Sequence, residues 1–287
     1  MTSVIIPVYN GAAILPTTIP AVLALDADEI LWVDDGSRDA TPRLLADATA
    51  GQERARVITL GENAGRAAAR NAGVATATGD VLAFFDADVE PPPGAARALA
   101  AGLGAPGAVA SVARLKPVVT DPGDPYQDYV ANHPRGPAAA VEPGEPIDWR
   151  YFLSGASAVR REAFERVGGF PEAVPYGEDV AFGCRLARVA PDGLRLARTV
   201  VRLHDLGDLA RAVGHARQFG AAAASFDEPC PGGAVDRVRA PTWVGRAAAA
   251  APWVLASAIS VLPRGALRRR AVRYLLAATA LRAAHRA

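Results

Sequence analysis

The chain has 287 residues, 51% hydrophobic and 21% charged, which suits one large α/β domain or two small ones and excludes a mini-protein. Net charge is +1, yet ten arginines and no acid follow Asp236, so the preceding 236 residues are acidic by about nine charges. Nucleic-acid binding by that main body is therefore disfavoured. The two cysteines, Cys184 and Cys230, have no zinc-like spacing and read as reduced thiols of a cytoplasmic protein. The N-terminus has no positive n-region, and Pro7, Asn10, Pro16 and Pro20 interrupt any apolar core, so a signal peptide is not expected.

Taken in order, Ser3 to Val8 predicts a buried strand, Tyr9-Asn10-Gly11 a turn, and Ala13 to Ala24 a helix. Glu29 to Asp34 is a second strand ending in Asp34-Asp35-Gly36-Ser37, and Thr41-Pro42 reads as N-cap and first turn of a helix to Ala50. Arg56 to Leu60 is a third strand, and Arg66 to Ala77 a third helix after the Asn63-Ala64-Gly65 turn. Val81 to Phe85 is the fourth strand. Such strand-helix alternation implies right-handed βαβ crossovers and a mostly parallel sheet. Every polar turn just named then falls on one edge, where open α/β sheets bind ligands.

At that edge Leu82 to Phe85 runs into Asp86 and Asp88, separated by Ala87, before Pro91 to Pro93 stop the strand. Two carboxylates so placed suit Mg²⁺ or Mn²⁺ beside a phosphate, or else a solvated acidic turn. An EF-hand is excluded because Pro91 stands where that loop needs glycine. Gly102, Gly104 and Gly107 spell a dinucleotide fingerprint, but they follow a helix (Ala95 to Ala101) and lead into a strand near Val109 to Arg114. That is the wrong order, so NAD binding is not expected.

Between Lys116 and Trp149 lie seven prolines, which predicts a long surface loop with a short helix around Tyr126 to Ala131. It reads either as a substrate-contacting segment or as a variable connector. Phe152 to Val159 resumes a buried strand, and Arg161 to Val167 is a helix closed by Gly168-Gly169. A helix led by Gly177-Glu178-Asp179 runs to Val189, and short strands at Leu194 to Ala197 and Thr199 to Leu203 end at His204. The run from Ala247 to Leu262 is uncharged but contains Pro252 and is shorter than the ~20 residues that span a bilayer. With Arg264, Arg268, Arg269, Arg270 and Arg273 just behind it, it reads as an interfacial anchor on an anionic membrane or as a helical hairpin packed on the body.

The motifs SVIIPVYN (3–10), VDDGSRD (33–39), ENAGRAAARN (62–71), FFDADV (84–89), GGF (168–170) and GEDV (177–180) together resemble glycosyltransferase family 2. Each motif is weak alone, and six in this order are specific. The resemblance covers roughly residues 1 to 205. It implies an α/β fold of GT-A type, a Rossmann-like sheet flanked by helices, with a C-terminal helical extension. Residues 1–115 would be the nucleotide-sugar half, 116–236 the acceptor half, and 237–287 a basic, apolar helical tail.

It further implies an inverting, metal-dependent transferase that uses a nucleotide diphosphate sugar, UDP-linked in preference to GDP or dTDP. By resemblance, Pro7, Tyr9, Asn10, Asp35, Gly36, Arg66, Asp86 and Ala87 line the nucleotide-sugar site. In that site Asp35 would accept the uracil imide N–H, Tyr9 would stack on the base, and Arg66 would hold base or diphosphate. Asp88 with Asp86 would hold Mn²⁺ or Mg²⁺, with His204 either a further ligand or a structural residue. Asp179 would be the catalytic base, with Glu178 beside it, whereas Arg70 reads as structural. Trp149 and Ser154-Gly155-Ala156 would border the acceptor, or Trp149 would be a core residue. Processive relatives carry Q-x-x-R-W, but Gln218 here precedes Phe219-Gly220-Ala221-Ala222, so single-sugar transfer is expected.

Two other classes remain open on the sequence. A nucleotidyltransferase shares an acidic pair but would show a basic phosphate loop after the first strand, which Tyr9-Asn10-Gly11-Ala12 lacks. A non-catalytic nucleotide-binding or membrane-scaffold protein would need neither Asp88 nor Asp179.

Overall fold

The computed structural model describes residues 1–132, 141–222, 225 and 252–284. Within these the chain divides into two compact units. The first comprises Met1–Lys116, Gly136–Glu172 and Glu178–Asp205; the second comprises Pro117–Arg135, Ala173–Gly177 and Leu206–Ala287.

Among the described residues the first unit holds an eight-stranded sheet. In chain order its strands are β1 (Thr2–Val8), β2 (Glu29–Asp34), β3 (Ala55–Thr59), β4 (Val81–Phe85), β5 (Val89–Glu90), β6 (Ala110–Pro117), β7 (Ala156–Arg160) and β8 (Leu194–Leu203), arranged β3-β2-β1-β4-β7-β6-β8-β5. The pairs β3/β2, β2/β1 and β1/β4 are parallel, as the βαβ alternation predicts. The pairs β4/β7, β7/β6 and β5/β8 are antiparallel. The strand at 194–203 is continuous where the sequence suggested two, and two-residue β5 fits between the acidic turn and Pro91.

Strand periodicity of two sorts the core into two layers. Val4, Ile6, Trp32, Ala83 and Phe85 face one side with α1 (Leu15–Leu23) and α4 (Ala95–Gly102). Ile5, Leu31, Val33, Leu82 and Phe84 face the other, with α3 (Arg66–Thr76), α6 (Arg161–Arg166) and α7 (Glu178–Val189). Phe84, Phe164, Phe170 and Phe182 form an aromatic cluster there, with Phe170 and Phe182 stacked at 4.3 Å between centroids. Both faces are covered, which is why β1, β2 and β4 read as continuous apolar runs rather than alternating ones.

Thr41 proves to be the first helical residue of α2 (Thr41–Thr49), not its cap. Its hydroxyl instead accepts from the Gly11 backbone N–H at 2.8 Å, tying the turn after β1 to the start of α2. Gly102 ends α4 and Gly107 (φ 70°) turns the chain toward β6, so the glycine triplet is turn chemistry and not a phosphate loop. Gly168 and Gly169, both with positive φ, close α6 as expected.

In the second unit, α5 (Pro125–Asn132), α8 (Leu209–Ala222), α9 (Pro252–Val261) and α10 (Ala266–Ala284) are described. No described helix is long and apolar enough to cross a membrane. Cys184 is disulfide-bonded, which overturns the reading of a reduced thiol at that position. Cys230, His133, His285, residues 133–140 of the proline-rich loop and residues 237–251 of the tail lie outside the described residues.

Candidate active site

Parallel pairing aligns the carboxyl ends of β1, β2 and β4, so their following turns share one sheet edge. At the first turn, Pro7 is buried and Tyr9 exposed, while Asn10 takes a left-handed φ of 50°. The Asn10 amide oxygen accepts from Arg38 N–H at 2.9 Å and its own N–H donates to Ser37 Oγ at 2.9 Å, so the first turn is braced by the second. Asp39 adds a bond from Ala12 N–H at 3.0 Å, a role the sequence reading missed.

Asp35 is buried, and its two oxygens accept the N–H groups of Ala64 (2.8 Å) and Gly65 (2.9 Å). Gly36 follows at φ 71° against the backbone of Glu62. The carboxylate expected to read a base thus holds the loop that starts α3, and each oxygen retains a further lone-pair direction.

The third turn carries Asp86 and Asp88. Val89 N–H closes on Asp86 C=O at 3.3 Å, and the Ala87 carbonyl accepts from the buried Thr18 hydroxyl of α1 at 2.8 Å. Because β7 runs antiparallel to β4, its start returns to this point: Asp86 N–H bonds Gly155 C=O at 3.1 Å. A Cβ on Gly155 would lie 2.5 Å from Asp86 Oδ2, so only glycine leaves that oxygen its place. Trp149 is buried in a 3₁₀ turn (Trp149–Tyr151) whose backbone meets Gly183 of α7, which is the core placement.

Opposite Asp86, α7 begins with Glu178 and Asp179. Arg70, one turn beyond Arg66 on α3 and only 1% exposed, joins the two sides. Its Nη2 donates to Asp86 Oδ1 at 2.7 Å and its Nη1 to Glu178 Oε1 at 2.9 Å. Burial opposes its charge, but the two carboxylates outweigh that and raise its pKa further. Arg66, half exposed, reaches the same Glu178 at 3.3 Å. Glu178 is therefore clamped between two guanidinium groups, while Asp179 accepts the adjacent Val180 N–H at 2.7 Å. Burial first, and then the Glu178 charge, push the Asp179 carboxyl up to about 6, against the downward pull of Arg70, Arg66 and the Val180 N–H. The sequence placed Arg70 among structural residues; its spacing of four from Arg66 was the available signal.

His204 lies beside the acidic turn because β8 pairs with β5, and its N–H donates to Asp88 C=O at 2.9 Å. Its ring Nε2, however, contacts Glu90 Oε2 at 2.6 Å. Among the described residues no three His, Cys, Asp or Glu converge as a complete metal cage. The donor set still fits a hard divalent ion, since Mg²⁺-type sites commonly use one or two carboxylates completed by substrate phosphates and water. The lack of a Cβ at Gly155, which would stand 2.5 Å from Asp86 Oδ2, supports that fit.

The family model for glycosyl transferase family 2 matches residues 3–168. This chain belongs to glycosyltransferase family 2. The nucleotidyltransferase alternative is thereby set aside. Among curated relatives, an undecaprenyl-phosphate 4-deoxy-4-formamido-L-arabinose transferase of Aeromonas hydrophila is 39% identical over 99 residues, covering 32% of this chain and 30% of the relative. A pre-mycofactocin glycosyltransferase of Mycobacterium tuberculosis is 34% identical over 188 residues, covering 64% of this chain and 38% of the relative. The chain thus spans about a third of the length of these relatives. Among solved structures, a Pyrobaculum calidifontis mannosyltransferase in complex with GDP-Man and Mn²⁺ superposes with a TM-score of 0.63 at 23% identity, over 96% of this chain and 85% of that one. S. aureus TarS residues 1–349 with UDP-GlcNAc gives 0.58 at 17% identity, over 78% and 65%. The GT-A-like α/β fold is that expected from the sequence.

Proposed function

We propose that this family 2 member transfers a single sugar, with inversion, from a nucleoside diphosphate donor, UDP-linked by preference, to an acceptor hydroxyl. The observation that carries this reading is the buried guanidinium of Arg70, which joins Asp86 at the donor edge to Glu178 beside Asp179. Asp35, Gly36 and the Tyr9-Asn10 turn hold the nucleotide end. Asp86 and Asp88 hold the sugar-diphosphate end and would ligate Mn²⁺ or Mg²⁺. Such an ion, when bound, supplies positive charge beside the departing diphosphate. The clamped Glu178 fixes Arg66 and Arg70 and leaves proton transfer to its neighbour.

Inverting transfer is one displacement: the acceptor oxygen forms its bond to the anomeric carbon as the bond to the diphosphate oxygen breaks. The acceptor proton passes to Asp179. With its carboxyl near 6, Asp179 is mostly ionised at neutral pH and still basic enough to take that proton. Incubating the full chain with a panel of nucleotide sugars and Mn²⁺ or Mg²⁺, and measuring nucleoside diphosphate release, tests the proposal. One donor class should stand out. Absence of release from every donor, with no donor bound in calorimetry, would return the chain to the non-catalytic scaffold reading.

A further inference from the structure

The sequence offers two readings of the C-terminal segment, an interfacial anchor or a hairpin packed on the body, and the structure describes how its last helix packs within its own unit. Helix α10 is fastened along one face. Arg268, Val272, Leu275 and Thr279, spaced at four, three and four, are buried. Arg268 donates to Gly123 C=O at 2.6 Å, and Arg269 pairs with Asp128 of α5 at 3.3 Å. Against α8 the backbones touch, for a Cβ on Gly220 would collide with the Ala280 carbonyl.

The rest of the hairpin carries a different surface. Among the described residues, four of the eight large hydrophobic side chains that stand exposed lie here: Val254 (58%), Val261 (81%), Leu267 (63%) and Tyr274 (40%). Val254 and Val261 are seven apart on α9; Leu267 and Tyr274 are seven apart on α10, so each pair shares a helix face. Scattered exposed apolar residues are ordinary, but this concentration marks a contact surface. Around it stand exposed Arg264, Arg270 and Arg273, and no acid follows Asp236.

We propose that the α9–α10 hairpin docks on an anionic lipid surface, with Val254, Val261, Leu267 and Tyr274 entering the interface and the three arginines meeting lipid phosphates. A second copy of the chain is a poor occupant, because it would set these arginines against their own kind without acids to balance them. The ten described residues of α9 reach about 15 Å, short of the ~30 Å of a hydrocarbon core. Arginine stems can lie along the apolar surface while their heads stay among phosphates. The fastened face of α10 makes the surface part of the folded unit rather than a loose tail.

The test is co-sedimentation of the full chain with vesicles of phosphatidylcholine alone and of phosphatidylcholine with phosphatidylglycerol. Binding to the anionic vesicles only, weakening with salt, is expected. Arg264→Gln/Arg270→Gln/Arg273→Gln should weaken it about a hundredfold, at the usual worth of a basic residue near an anionic surface. Val261→Ser/Leu267→Ser should weaken it about tenfold or more. Both sets should leave the melting temperature and donor binding unchanged, since the side chains are exposed and outside the donor site. Absence of binding to anionic vesicles at low salt, or binding that ignores both sets of changes, overturns the proposal. So does a wild-type dimer in sedimentation that Val261→Ser/Leu267→Ser turns to monomer, which would make the surface a self-association face.

Discussion

Arg70 Nη2 lies 2.7 Å from Asp86 Oδ1, while the other arm of the same guanidinium lies 2.9 Å from Glu178 Oε1. A buried cation between two carboxylates is costly to break from one side, because the partners are left charged without compensation. Arg70→Met should therefore destabilise the protein by about 3–5 kcal/mol in denaturant unfolding. Adding Glu178→Gln should recover part of that loss by removing one orphaned charge. Arg70→Lys keeps the charge but lacks the planar fork that spans both partners, so it should fold and lose donor affinity. If Arg70→Met unfolds at the wild-type midpoint, the bridge is not a stabilising element.

Asp179 offers a prediction with two independent readouts. Its carboxyl is raised to about 6, so the ionised base accumulates as pH climbs through 6 and kcat should rise with it. Asp179→Asn should lower turnover by roughly 10²–10⁴ with donor affinity near normal. For stability the sign runs the other way. A raised carboxyl favours the folded state fully below the unfolded value of 3.8, and that benefit is lost as pH rises through about 6. The Asn variant should thus melt a few degrees above wild type at pH 7 to 8, with the gain fading toward pH 4. Full turnover in the Asn variant would move the base elsewhere, with Glu178 next in line despite its clamp.

The parallel half of the sheet was legible because buried parallel strands are continuous apolar runs between turns. Glu29–Asp34 and Val81–Phe85 emerged with the bounds the sequence predicts. The antiparallel half was less so, since its strands owe their order to long connections that carry no local signal. That is why the return of β7 to Asp86, and of β8 to Asp88, needed the structure. The candidate site divides the same way. Asp86, Asp88 and Asp179 stand at element ends and announce themselves, whereas Arg70 looks like any helix arginine until Glu178, 108 positions along the chain, is brought to it.

His204 and Glu90 were also separated, by 114 residues, and now meet at 2.6 Å. An ionised carboxylate only accepts, so this contact requires hydrogen on Nε2. Nitrogen-15 spectra should show hydrogen on Nε2. Because carboxylate partners orient ligating histidines, if His204 serves as a ligand then Glu90→Gln should weaken binding of nucleoside diphosphate with Mn²⁺ by about tenfold in calorimetry, approaching His204→Ala. Unchanged binding would reduce Glu90 to the surface partner of Arg202, which it also meets at 3.1 Å.

Gly155→Ala tests the donor edge without touching any charge. The backbone at Gly155 has no left-handed φ, so alanine strains nothing there and slightly restricts the unfolded chain. Its Cβ, however, would stand 2.5 Å from Asp86 Oδ2 and 3.0 Å from Cγ, inside van der Waals contact. Asp86 cannot simply slide away, because Oδ1 is held by Arg70, whose guanidinium is fully buried and fixed at its other end by Glu178. The carboxylate must rotate off either its arginine or the position from which it would meet a metal ion. Donor affinity measured with Mn²⁺ should fall at least tenfold, while unfolding shifts by no more than about 1–2 kcal/mol. Asp88→Asn is the companion: it leaves the packing alone but removes charge from the same turn, and it should lower both Mn²⁺-dependent donor binding and turnover, as should EDTA. If Gly155→Ala binds donor as tightly as wild type while Asp88→Asn does not, Asp88 carries the diphosphate end alone and Asp86 serves only to hold Arg70.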